Sequence, residues 1–176
     1  MSIVLPTRNH KHAVATDWNA LYADHIGRIF NFFRYRTGDE QVAQDLTATT
    51  FEKAWKRRKQ FRGKPEAFVS WLYSIARNVA NDYYRNRPKL VALDDIVTFT
   101  SGAEVADTVA QKIEFSQLVQ HIQQLSARER DLITLKYGAN LNNRQIAQQL
   151  SLSESNVGSI LHRTIRKLRQ QMEQTL

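Results

Sequence analysis

Cysteine is absent from this 176-residue chain. That excludes disulfides, zinc ribbons, thiol nucleophiles and iron–sulfur clusters, and it fits a reducing, cytoplasmic setting. Glycine (6) and proline (3) are scarce. A strand-and-turn fold would have little to build its corners from, so long helices are expected. No apolar run approaches the roughly 18–20 residues that cross a bilayer. Residues 1–15 carry only Ile3-Val4-Leu5 ahead of Pro6 and lack the apolar core of a secretory signal, so membrane insertion is not expected. His10, His12, His25, His121 and His162 show no ligand spacing, and no triad, phosphate loop or paired-carboxylate setting stands out. The expectation is a chain with no metal, no cofactor and no covalent chemistry of its own.

What is abundant is positive charge: 25 Lys plus Arg against 17 Asp plus Glu, a formal net of +8. It is unevenly placed, with a net of +7 over residues 1–88, −2 over 89–112 and +3 over 113–176. Two basic blocks around a mildly acidic stretch favour a polyanionic partner, because cations that meet phosphates release counterions.

Apolar spacing gives the organisation. Residues 1–15 read as a flexible leader. Leu21, Ile26, Ile29, Phe30 and Phe33 recur with the helical period up to a stop at Gly38. A second helix is expected from about Asp39 to Gln60, with Val42, Leu46, Thr50/Phe51 and Ala54/Trp55 as its stripe. Gly63 and Pro65 break the pattern. A third helix follows from Pro65 to Pro88 on Phe68, Trp71/Leu72, Ile75/Ala76, Val79 and Tyr83. Periodicity fades from Lys89 to about Gln111, a linker. Helices resume from Val109 to Leu125. Ser126-Ala127-Arg128-Glu129 then forms a capping box ahead of a helix with Leu132, Ile133, Leu135 and Tyr137 on its apolar side and Gly138 as its stop. The fold expected is all-α: a domain over residues 16–88, a linker over 89–111, and a second domain over 112–176.

Residues 143–160 meet the needs of a helix-turn-helix. Ala147 is small where the two helices meet, and Leu150 and Leu152 close the inner angle. Ser151 takes the turn position where glycine is commonest. Ser153 caps the second helix, and Val157 and Ile160 bury it. Ser155, Asn156 and Ser159 point away from the buried face toward base edges, with Ser153 counted beside them as a DNA-binding candidate, while Arg163, Arg166 and Lys167 continue along the helix and suit phosphates. In the first block, Phe61, Trp71, Tyr73, Tyr83 and Tyr84 accompany Arg62, Lys64, Arg77, Arg85 and Arg87. Aromatic faces and cations together can hold bases drawn from a duplex. Phe68, Trp71 and Tyr83 lie on the stripe and are assigned to the core. Asn78, Asn81, Tyr84 and Arg85 lie off it and are the reader candidates.

Three signatures in this order resemble the extracytoplasmic-function sigma factors of bacterial RNA polymerase. Asp45-Leu46-Thr47-Ala48-Thr49-Thr50-Phe51-Glu52-Lys53-Ala54-Trp55 is similar to the family's core-polymerase-binding helix. Phe61-Arg62-Gly63 with the helix from Phe68 to Arg85 resembles its minus-ten melting and reading element. Leu125 to Arg130 with the helix-turn-helix resembles its minus-thirty-five domain. The resemblance covers about residues 17–173. It implies docking on core RNA polymerase through Asp45, Thr49, Glu52, Lys53 and Lys56. It implies capture of a flipped base by the loop Arg62, Gly63 and Lys64, and promoter DNA as ligand. It leaves room for an anti-sigma protein as a second partner. Two departures stand out. The family usually has Gln-Glu where this chain has Ala48-Thr49, and often a basic residue at Gly158 and Ile160. The alternative reading is an autonomous helix-turn-helix regulator with residues 1–88 as a dimerisation or sensing domain.

Overall fold

A computed structural model of the chain describes residues 17–63, 65–86 and 109–174, and every regular element among them is helical. The expected leader, the linker up to residue 108 and Lys64 lie outside the described residues.

Three long helices form the first half: α1 (Trp18–Thr37), α2 (Glu40–Lys56) and α3 (Pro65–Asn86). Asp17 caps α1 by accepting from the Asn19 and Ala20 amides, and Asp39 caps α2 through the Val42 amide. Gly38 ends α1 in the left-handed region at φ 74°, as the sequence suggests. The second helix is shorter than expected. It ends at Lys56, and the chain tightens into a 3₁₀ turn over Arg58–Gln60.

Four elements form the second half: α4 (Val109–Gln123), α5 (Ala127–Ile133), α6 (Asn143–Leu150) and α7 (Glu154–Glu173). Both directions of the Ser126/Glu129 capping box are made, and Asn142 with Gln145 makes a second one ahead of α6. After α5 the chain widens into a π-type turn over Thr134–Gly138. Here the expectation needs one correction. Tyr137 is 51% exposed rather than part of the apolar side. Gly138 does end the helical run, but without the left-handed backbone of Gly38, which alone among the described glycines has positive φ. The Cβ position of Gly138 is closed by α1: an added Cβ would lie 2.9 Å from the Phe32 Cα and 3.0 Å from the Asn31 carbonyl oxygen.

That close approach belongs to a feature absent from the sequence reading. The two halves pack on each other, α1 against the π turn and α4, and α3 against α6. One buried apolar cluster runs from Ile29, Phe32 and Phe33 through Phe68 and Leu72 to Leu132, Leu135, Ile146 and Leu168. Tyr73, offered by the sequence as a base-stacking ring, is fully buried there. Its hydroxyl donates to the Ala139 carbonyl at 3.3 Å, and burial pushes its ionisation well above the ordinary tyrosine range.

Candidate nucleic-acid interface

The helix-turn-helix forms as its sequence dictates. Ala147 and Ile146 are buried at the inner angle, and Leu150 and Leu152 pack against the core. The turn falls at Ser151, in the left-handed region (φ 53°, ψ 47°), where a side chain carries strain that glycine would not. The amides of Ser151 and Leu152 both reach the Ala147 carbonyl and close the end of α6. The Ser153 hydroxyl accepts from the Asn156 amide at 3.2 Å, so Ser153 is spent on capping α7. Val157, Ile160, Leu161, Thr164 and Leu168 bury one side of α7. Opposite them, Ser155, Asn156, Ser159, Arg163 and Arg166 are exposed.

Ser155, Gly158, Ser159, His162 and Arg163 line a shallow concavity of about 640 Å³ on that face. His162 therefore belongs to the exposed face, and the sequence reading left it out. Its positions relative to Ser155 (seven on) and Ser159 (three on) were the available signal. Gly158 forms the floor, and a Cβ there would meet only the Asn143 side chain at 3.8 Å, so the fold does not require glycine at this place. Lys167 is partly engaged, 3.8 Å from Glu129. Hydrogen bonds from the Ser126 hydroxyl and amide, with Lys167 and Arg163 nearby, hold the Glu129 carboxyl below the usual range, against a smaller opposing effect of burial.

In the first half, Arg62 and Gly63 sit on the exposed loop before α3. Gly63 is explained by Phe61, whose ring would lie 2.8 Å from an added Cβ. Phe61 in turn packs against Phe68 and Trp71, at 5.7 and 5.2 Å between ring centroids. Phe68 is buried, and Trp71 and Tyr83 lie half-buried against the core, as assigned. Asn78 is exposed in an open cleft of about 480 Å³ lined also by Phe61, Trp71, Arg77, Gln148 and Gln149. Arg85 is exposed and pairs with Asp82 at 2.7 Å. Asn81 and Tyr84 are not free of the protein. The Tyr84 hydroxyl donates to the Arg36 carbonyl at 2.6 Å, and Asn81 accepts from the Arg36 guanidinium at 3.5 Å.

On α2, Asp45, Glu52 and Lys56 are exposed and Thr49 and Lys53 half-exposed, along one strip. Thr49 bonds back to the Asp45 carbonyl at 2.8 Å. A hydrogen bond from Lys56 keeps the Glu52 carboxyl below its usual range. Lys53 reaches Asp82 of α3 at 3.6 Å. Trp55, placed on the apolar stripe from sequence, is 52% exposed; Trp18 meets it edge-on and the Arg58 guanidinium lies 3.9 Å over its ring.

Comparison with known proteins bears on both halves. Residues 21–89 match the profile of Sigma-70 region 2, and residues 121–170 that of Sigma-70, region 4. The chain is 28% identical over 158 residues to the sigma factor SigL of Mycobacterium tuberculosis (89% of each protein). It is 26% identical over 153 residues to SigM of Bacillus subtilis, covering 85% of this chain and 91% of that one. To BldN of Streptomyces coelicolor it is 24% identical over 157 residues, spanning 88% of this chain but 60% of the relative. Among solved structures, the sigma factor RpoE in complex with the anti-sigma factor NepR from Bartonella quintana shares the fold. Its TM-score is 0.66 at 19% identity, over 89% of this chain and 97% of that one. CnrH in complex with the cytosolic domain of CnrY gives a TM-score of 0.58 at 21% identity, over 88% and 84%. The match of residues 21–89 to region 2 replaces the regulator alternative, in which that half served dimerisation or sensing. No helix among the described residues is long and apolar enough to cross a membrane.

Proposed function

Because the chain belongs to the extracytoplasmic-function sigma factors, with sigma-70 regions 2 and 4, and so serves RNA polymerase rather than catalysing a reaction, we propose how its surfaces divide that work. The α2 strip Asp45, Thr49, Glu52, Lys53 and Lys56 docks on core polymerase. The Arg62–Lys64 loop with the Asn78, Asn81, Tyr84 and Arg85 face of α3 opens and reads the minus-ten DNA. Helix α7 enters the major groove at the minus-thirty-five element with Ser155, Asn156 and Ser159, joined by His162. Arg163, Arg166 and Lys167 bind its phosphates. The domain assignment follows, with residues 16–88 for polymerase and minus-ten contacts and 112–176 for the upstream element. The protein works in the bacterial cytoplasm, and an anti-sigma protein restrains it, as the RpoE–NepR neighbour suggests.

The observation that carries this reading is the exposed, capped face of α7: polar side chains at its start and cations after them, on a helix whose opposite side is buried. The test is run-off transcription with core polymerase from a randomised promoter library, with and without the chain. Enrichment of one promoter class only when the chain is present is the expected result. Tight, sequence-specific binding by a dimer of the isolated chain would overturn it.

A further inference from the structure

Of the described glycines, Gly38 answers to its positive φ, and Gly63 and Gly138 to close packing. Gly27 and Gly158 answer to neither. Of these two, Gly158 lies on α7, at the floor of the concavity bounded by Ser155, Ser159, His162 and Arg163. Inside a helix, glycine is less favourable than every residue but proline, so the fold gains nothing from it there. What the missing side chain leaves is a notch. Gly158 is the fifth residue of α7, so its amide and its carbonyl are both taken up by the helix's own i, i+4 bonds. The floor of the notch therefore offers a base no donor and no acceptor, only C–H surface.

One wall is different. The Asn143 amide nitrogen, at the start of α6, would lie 3.8 Å from a Cβ on Gly158. The amide oxygen of Asn143 accepts from the Lys136 ammonium at 3.0 Å. An ammonium only donates, so that bond fixes the sense of the amide and leaves its NH₂ group facing the notch. An apolar floor beside a hydrogen-bond donor is complementary to one base edge in the major groove. Thymine presents a 5-methyl group next to its O4 acceptor, whereas cytosine presents a donor without a methyl, and neither purine carries a methyl. We propose that Gly158 and Asn143 form a thymine-reading subsite of the helix-turn-helix, with the 5-methyl seated on the glycine and O4 accepting from the Asn143 amide. The inference rests on the assignment of α7 to the minus-thirty-five element.

The test uses holoenzyme made with the full-length chain, on a promoter enriched from the run-off library. Uracil replaces thymine one position at a time across the upstream element, which deletes a methyl and keeps the base pair. One such replacement should weaken binding by about 4-fold, the worth of one buried methyl-sized group. Gly158→Gln fills the notch with a polar head and should abolish that loss at that position alone. Removing a helix-interior glycine should also raise the melting temperature of the free chain by about 2–4 °C, which separates lost discrimination from lost folding. Asn143→Leu keeps the floor and removes the donor. It should cut the preference for thymine over cytosine at the same position by about 5-fold. Holoenzyme indifferent to scrambling of the entire upstream element would overturn the minus-thirty-five assignment and the subsite with it. Where the element matters, three results overturn the subsite alone: no thymine sensitive to uracil, the same uracil profile in Gly158→Gln as in the parent, or an unchanged thymine preference in Asn143→Leu.

Discussion

The two halves of this sigma factor are built by different means. Of 17 aromatic residues, 14 lie within 17–86 and two within 109–174. The first half uses three long helices around ring-on-ring contacts, with Trp18 edge-on to Phe68 at 5.6 Å and Tyr22 to Phe51 at 4.7 Å. The second half has few rings and, apart from the 20-residue α7, shorter helices than the first, and fixes them with two capping boxes, a serine N-cap and small or branched residues at the helix crossing. The rings of the first half mostly pack on one another, so ring contacts set the placing of its helices, whereas in the second half the caps set the angle of a polar-faced helix.

The largest effect should come from breaking the aromatic core. Phe68→Ala is expected to cost about 3–5 kcal/mol. All three tryptophans lie in the first half, so their fluorescence follows that half, and chemical denaturation read by fluorescence and by far-ultraviolet circular dichroism should separate the two contributions. Coincident transitions after this substitution would mean that the packing between the halves makes them unfold together.

Next comes the groove-reading face. Asn156→Ala should reduce discrimination between promoters by about 1–3 kcal/mol while barely altering the melting temperature. Arg166→Ala should weaken binding across sequences and flatten the salt dependence. Quantitative footprinting of the holoenzyme at several salt concentrations distinguishes the two patterns.

A smaller change tests the cap-based construction itself. Ser151→Gly relieves the left-handed backbone strain at the turn and should stabilise the second half by about 1 kcal/mol, visible as a raised urea midpoint with unchanged slope.

The smallest is a pH effect. Because the Glu129 carboxyl ionises below its ordinary value of 4.5 in the folded chain, its contribution is fully present above that value and lost as pH falls through the lowered one. Glu129→Gln should lower the melting temperature at neutral pH, and the gap from the parent should close in acid.

These contrasts also explain what could be read from sequence. The capping box, the αL turn at Ser151 and the buried Val157/Ile160 face were legible because each is settled within a few residues. The end of α2 was not, since nothing at Arg57 marks a stop as Gly38 does for α1. Trp55 sits at the edge of a stripe, and periodicity alone does not say which side of an edge faces water. Tyr73 was misjudged for a deeper reason. α3 is covered on two faces, and the second cover comes from a region more than sixty residues further on. Arg36 and Asp131 stand 95 residues apart with no local signal of their pairing, and Arg77, grouped in the sequence with cations for DNA, is drawn to the same carboxylate by the fold.

The 95 residues separating Arg36 from Asp131 also impose an order of events on the ribosome. At roughly 5–20 residues per second, about 5–20 s pass between the synthesis of the two partners. The contacts among α1, α2 and α3 are local by comparison and form first. Helix α3 ends at Asn86, so for about the last 2–9 s of that interval each newly made chain presents it uncovered, before the segment that will close over it exists.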